Sequence, residues 1–180
     1  MRTHLEVFKT GFDVDYCVRK AKTILDGRFD NPEWMDVATH LIQLARIIMP
    51  VNIAAKVLEA RICIRTGDRE RALALLEEVR AAKEQAANSG DEQEAWYVAN
   101  QLLADLYLET GRADQALLCL QDFRESSKSG AKTIFKMGQA YEQLGDRAKA
   151  MKCYENVTAY EGNPLVYEAR EAMSRMKSSV

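Results

Sequence analysis

The residues able to do chemistry are few and badly spaced for it. Histidine occurs only at His4 and His40, in neither an HExxH pattern nor any metal-ligand spacing. The four cysteines, Cys17, Cys63, Cys119 and Cys153, are scattered without a CxxC pair. That spacing argues against a zinc site or a disulfide framework and fits a reducing compartment. No serine lies in a GxSxG elbow, and no glycine-rich loop of the GxxxxGK[ST] or GxGxxG type is present to cradle phosphate. Carboxylates such as Glu77 and Glu78 are adjacent on one helix pattern, so they do not converge on a reacting group. Neither catalysis, a cofactor nor a metal is expected. What remains is binding chemistry: arginine and lysine for carboxylates, and aromatic or aliphatic anchors.

Those groups must be positioned by helices. Apolar residues recur at helical spacing throughout, and no run of β-branched residues alternates as a strand would. The 180 residues suffice for one substantial core or one short array. A net charge of −2 gives no electrostatic reason to expect nucleic acid. The amino end, MRTHLEVFKTGFDVD, does not read as a secretory signal, and no stretch approaches the roughly 20 apolar residues of a membrane span. A cytoplasmic protein is expected.

In chain order, a short helix near Arg2–Lys9 is followed by one over Val14–Leu25. A turn at residues 26–30 and a cap at Asn31 lead into a helix to Met49, closed by Pro50. Helices follow over residues 52–65 and 69–87, the latter long and unbroken. Asp91 and Glu94 form a capping-box pattern at the start of a helix to Glu109. Further helices cover 113–125, two patterns within 131–157, and a last one from Pro164. Trp34, Trp96 and Tyr97, near helix starts, read as packing between units, with the edge of a binding surface as the alternative for Trp96 and Tyr97. Residues 126–130 read as a polar loop, and Ser178–Val180 as a frayed end.

Three turns share one form, around Gly67, Gly111 and Gly145. The last two are 34 residues apart and the first two 44. Aligned on these glycines, Ala60, Ala104 and Gly138 stand seven before, and Cys63, Tyr107 and Tyr141 four before. Ala72, Ala116 and Ala150 stand five after, and Leu76, Leu120 and Tyr154 nine after. Cys119 and Cys153 also occupy equivalent places. A small residue facing a large one specifies a closely packed helix pair, and a repeat of this period specifies a helical solenoid.

This pattern resembles the tetratricopeptide repeat family over Ile53–Val79, Tyr97–Phe123 and Ala131–Val157. It departs in the 44-residue spacing, in Arg112 where an acidic cap is usual, and in the proline displaced to Pro164. The resemblance implies an all-α, right-handed superhelical array of antiparallel helix pairs with flanking capping helices, folded as one domain. Residues 14–49 would be a degenerate pair, 53–87, 92–125 and 131–160 the repeats, and 164–177 a carboxyl-terminal cap. It also implies a non-catalytic scaffold or adaptor, chaperone-like in its task, that binds a peptide or partner segment in a concave groove lined by the first helix of each pair. The groove residues would be Val57, Arg61 and Arg65, then Gln101, Asp105 and Glu109, then Lys132, Phe135, Lys136 and Gln139, on exposed helix faces. Lys132 and Lys136 stand where some members present basic residues to chaperone tails. The asparagines of that clamp are replaced by Arg61 and Leu102. The alternative is a self-assembling structural homo-oligomer. In either case the partner is a protein, with no nucleic acid or membrane involved.

Overall fold

The computed structural model describes residues 13–27, 32–87, 89–124 and 130–178. The helix expected at Arg2–Lys9, the cap at Asn31, and most of the loops at 26–30 and 126–130 lie outside these, as do Ser179 and Val180. Among the described residues there are ten helices and no strand. They are α1 (Val14–Asp26), α2 (Pro32–Ile48), α3 (Ile53–Thr66), α4 (Arg69–Ala81), α5 (Lys83–Ala86), α6 (Gly90–Glu109), α7 (Ala113–Arg124), α8 (Ala131–Gln143), α9 (Arg147–Thr158) and α10 (Leu165–Ser178). None of them is long and apolar enough to cross a membrane.

The three glycine corners are built alike. Gly67, Gly111 and Gly145 have φ of 85°, 72° and 76°, in the left-handed region that a side chain disfavours. In each, the amide after the glycine reaches back to the carbonyl five residues earlier: Asp68 to Cys63 at 2.9 Å, Arg112 to Tyr107 at 2.8 Å and Asp146 to Tyr141 at 2.9 Å. This is the Schellman closure of a helix end. The next helix starts at once, because the Asp68 and Asp146 carboxylates accept from the amides of Arg71 and Lys149. An arginine side chain offers no acceptor for such a cap. The Arg112 guanidinium instead lies 4.4 Å from the Tyr107 ring centroid.

The packing gathers into two compact units, Met1–Ala99 and Asn100–Val180, with the boundary inside α6. In the first, α1 packs on α2 and α3 on α4, while α3 also meets α1 and α2. Ala21, Ile24, Leu25, Ala38, Ile42, Leu58 and Ile62 form its main apolar cluster. In the second, α8 packs on α7, α9 and α10. Phe135, Ala150, Tyr154, Val157, Ala169 and Met176 are the centre of that cluster.

Gly138 shows what the small-facing-large columns mean physically. A Cβ built on it would lie 2.7 Å from Cε1 of Tyr154, which is 1% exposed. The Tyr154 hydroxyl donates to Glu142 at 2.8 Å, so the ring cannot swing away without losing that bond. At the matching positions, Ala60, Ala104, Leu76 and Leu120 are all buried.

Three expectations need correction. The helix expected from 69 to 87 is broken: α4 ends at Ala81, Ala82 turns with ψ of 30°, and α5 is a single turn. Tertiary bonds hold the break in place, with Trp96 Nε1 donating to the Arg80 carbonyl at 3.1 Å and Gln85 to that of Val51 at 3.2 Å. The ten extra residues between the first two corners are absorbed here and in the early turns of α6. Second, α6 starts at Gly90, so Asp91 lies inside its first turn rather than capping it, and Glu94 reaches Lys22 of α1. Third, Trp34 is 41% exposed on α2, while Trp96 is buried as expected.

Candidate functional site

Two cavities of the first unit are candidates. One, of about 310 Å³, is bounded by α1, α3 and the start of α6. Its floor is apolar: Val18 from α1, Ala54, Val57 and Leu58 from α3, and Ala95 and Val98 from α6. Its margins are charged and unlike. Arg19 and Lys22 stand on the α1 side, Asp91 and Glu94 on the α6 side. The other, of about 580 Å³, lies between α2 and α3 beside Arg46, Glu59, Cys63 and Arg71. There both arginines are committed to Glu59, Arg46 Nε at 3.2 Å and Arg71 Nη2 at 2.7 Å. The guanidinium pairing holds Arg71 above its ordinary pKa, and burial pushes the Cys63 thiol up, away from reactivity. The smaller cavity has the better chemistry for binding: an apolar floor with polar groups at its rim.

The local fold explains how its residues are aimed. Asn52 caps α3, its side-chain oxygen accepting from the Ala55 amide at 2.7 Å. That capping fixes the start of α3, and Ala54, Val57 and Leu58 then share one face by their spacing. Arg61 and Arg65, one and two turns later, reach the carboxyl end of α1. Arg61 Nη2 lies 2.7 Å from Asp26 Oδ1, and Arg65 Nη2 donates to the Leu25 carbonyl at 2.6 Å. Helix α1 has no basic residue in its own last turn. Its terminal partial charge is thus met from a neighbouring helix.

The ten residues expected to line a groove fall out unevenly. Val57 and Arg61 line the α1–α3–α6 cavity, and Arg65 is exposed beside it. In the second unit, Asp105 and Lys136 form an ion pair with each other. Lys132, Gln139 and Glu109 are exposed and Gln101 is half-buried. Three were expected on exposed faces and are not: Val57 is 3%, Phe135 8% and Lys136 7% exposed. Phe135 packs against Tyr154 with ring centroids 5.4 Å apart, so it belongs to the core of its helix pair. Desolvation lowers the Lys136 pKa, and Asp105 opposes that shift.

Sequence reasoning passed over Val18, Arg19 and Lys22 because α1 carries none of the repeat columns. It passed over Asp91, Glu94, Ala95 and Val98 because they precede the columns of α6. Their hydrophobic spacing was visible; the meeting of these helices was not. Among the described residues, no three His, Cys, Asp or Glu side chains gather to hold a metal ion.

Residues 131–163 match the family described as tetratricopeptide repeat. The chain carries a tetratricopeptide repeat. The match spans α8, α9 and the turn beyond, the stretch that holds the Gly138–Tyr154 contact and the Gly145 corner. A solved structure of MamA (AMB-1, crystal form P212121) aligns with a TM-score of 0.64 over 97% of this chain and 87% of that one, at 16% identity. That likeness shows the fold: an all-α tetratricopeptide-type array of helix pairs. No curated protein matches the sequence.

Proposed function

We propose that this chain is a non-catalytic scaffold that binds a segment of another protein in the cavity between α1, α3 and α6. One observation carries the reading: the first helices of successive pairs bring an apolar floor and charged margins to one concavity. Its volume is at the small end of the roughly 300–1,000 Å³ usual for ligand pockets, so it suits an anchor side chain rather than a whole folded domain. The free energy would come from burying that anchor, with charge-assisted hydrogen bonds at the rim. The tetratricopeptide match supports a protein partner. The absence of catalytic motifs from the sequence supports a role without chemistry, and the scattered cysteines support a reducing, cytoplasmic setting. A clamp for chaperone tails draws no support from Lys136, which is turned to Asp105.

Affinity capture from native extract tests this. Ala95→Arg would fill the cavity from a half-buried helical position while leaving the circular dichroism spectrum unchanged. Loss of the proteins held by the wild type is the expected result. The same proteins recovered in the same amounts would refute the assignment of the cavity.

Self-assembly is the second reading, favoured by the exposed apolar side chains on and just after α2. Trp34, Val37, Ile47, Met49 and Val51 are each 41–62% exposed. Light scattering that shows one constant monomer mass across a concentration series would remove it.

A further inference from the structure

The geometry points to a partner segment of mixed charge: an aliphatic anchor with acidic residues on one side and basic residues on the other. This rests on the cavity between α1, α3 and α6 being the binding site. Both signs of charge are present there, but on opposite margins. Arg19 and Lys22 belong to α1, Asp91 and Glu94 to α6, and the apolar floor lies between. A uniformly acidic segment would meet Asp91 and Glu94 at one end, and a uniformly basic one would meet Arg19 and Lys22 at the other. Each would set like charges together, whereas a segment with separated charges satisfies both margins.

The free protein shows the same complementarity within itself. Lys22 Nζ lies 3.5 Å from Glu94 Oε1, joining the two margins. The two side chains are 54% and 53% exposed, so water screens the bond and a competing ion pair replaces it easily. An incoming segment would exchange one bridge for two, its carboxylates taking Lys22 and its cations taking Glu94. Arg61, which also lines the cavity, is already held by Asp26 and the Leu25 carbonyl and takes no part in the exchange.

Fluorescence-anisotropy titration with three synthetic peptides tests the proposal. All carry a leucine pair at the centre. One has glutamates at one end and lysines at the other, one has glutamates at both ends, and one has lysines at both. The wild type should bind the mixed peptide about tenfold more tightly than either of the others, the scale of one added ion pair and one repulsion avoided. Lys22→Glu should shift the preference to the lysine-flanked peptide, and Glu94→Lys to the glutamate-flanked one. Reversing both margins whole, with Arg19→Glu, Lys22→Glu, Asp91→Lys and Glu94→Lys combined, rebuilds the bridge with opposite polarity, so preference for the mixed peptide should return. A merely structural role for the bridge would give no such reversal. Equal affinity for the three peptides, or preferences unmoved by the variants, would overturn the charge pattern and leave the cavity assignment standing. Binding of none of them by the folded wild type would remove both.

Discussion

A single missing Cβ decides how closely α8 and α9 approach. Gly138 faces a fully buried tyrosine, and adding a methyl group would press it to within 2.7 Å of the ring. Gly138→Ala should therefore destabilise the protein by about 1–3 kcal/mol, the usual range for overpacking. The other repeats carry alanine and leucine at the matching positions, all four buried. Gly138→Ala combined with Tyr154→Leu should thus recover much of the loss, measured as a coupling energy in urea unfolding. Lys136 and Asp105 are an unequal pair. Lys136 is buried, whereas the Asp105 side chain is 41% exposed. Asp105→Ala strands a buried ammonium and should cost about 2–4 kcal/mol, while Lys136→Met leaves a carboxylate that water can reach and should be near neutral. Denaturation midpoints that rank the two variants the other way would contradict this. The lowered Lys136 pKa adds a sign. The native state binds fewer protons than the unfolded chain between its own lowered pKa and the ordinary 10.5, so this cost fades as pH rises toward 10.5. Tyr154 works oppositely. Burial, then the Glu142 contact, raises its phenol far above the ordinary 10.0. Above pH 10 the unfolded chain loses a proton that the native state keeps, so stability should fall as pH climbs. Tyr154→Phe should flatten that alkaline slope in thermal melts taken from pH 9 to 11.

At the scale of the element, the corners are the repeated device. Each combines a left-handed glycine with the bond back to the carbonyl five residues earlier, and two add an aspartate cap. Gly111→Ala should cost about 1–2 kcal/mol from backbone conformation alone, since the space around its Cβ position is open. A smaller effect in chemical denaturation would mean that the corner relaxes out of the left-handed region. The helix starts and stops were legible because glycine, aspartate and asparagine act locally. The break at Ala82 was not. The run from Arg69 to Ala87 has neither glycine nor proline, and helix propensity favours continuation. The chain turns there because the Arg80 carbonyl accepts from Trp96 and Gln85 reaches Val51, bonds between residues distant in sequence.

For the whole molecule, helical arrays are held by contacts between neighbours, so a local loss need not spread. The packing into units 1–99 and 100–180 makes this concrete. Gly138→Ala should accelerate amide hydrogen exchange in α8, α9 and α10 more than in α1 to α4. Equal acceleration throughout would show the chain opening as one body.

Glycines at matching intervals, small residues set against large ones and the absence of strand patterns determined by themselves that the chain folds as paired helices. Such features act over a turn or two, and one residue's steric needs suffice to specify them. Which side chains share a surface was a different matter. Spacing correctly put Val57 and Arg61 on a first helix. It could not tell that Lys136 is met by Asp105, that Phe135 is covered by Tyr154, or that Lys22 and Glu94 bridge a cavity. Only the tertiary structure decided those, because exposure and pairing depend on how far apart helices distant in sequence come to rest.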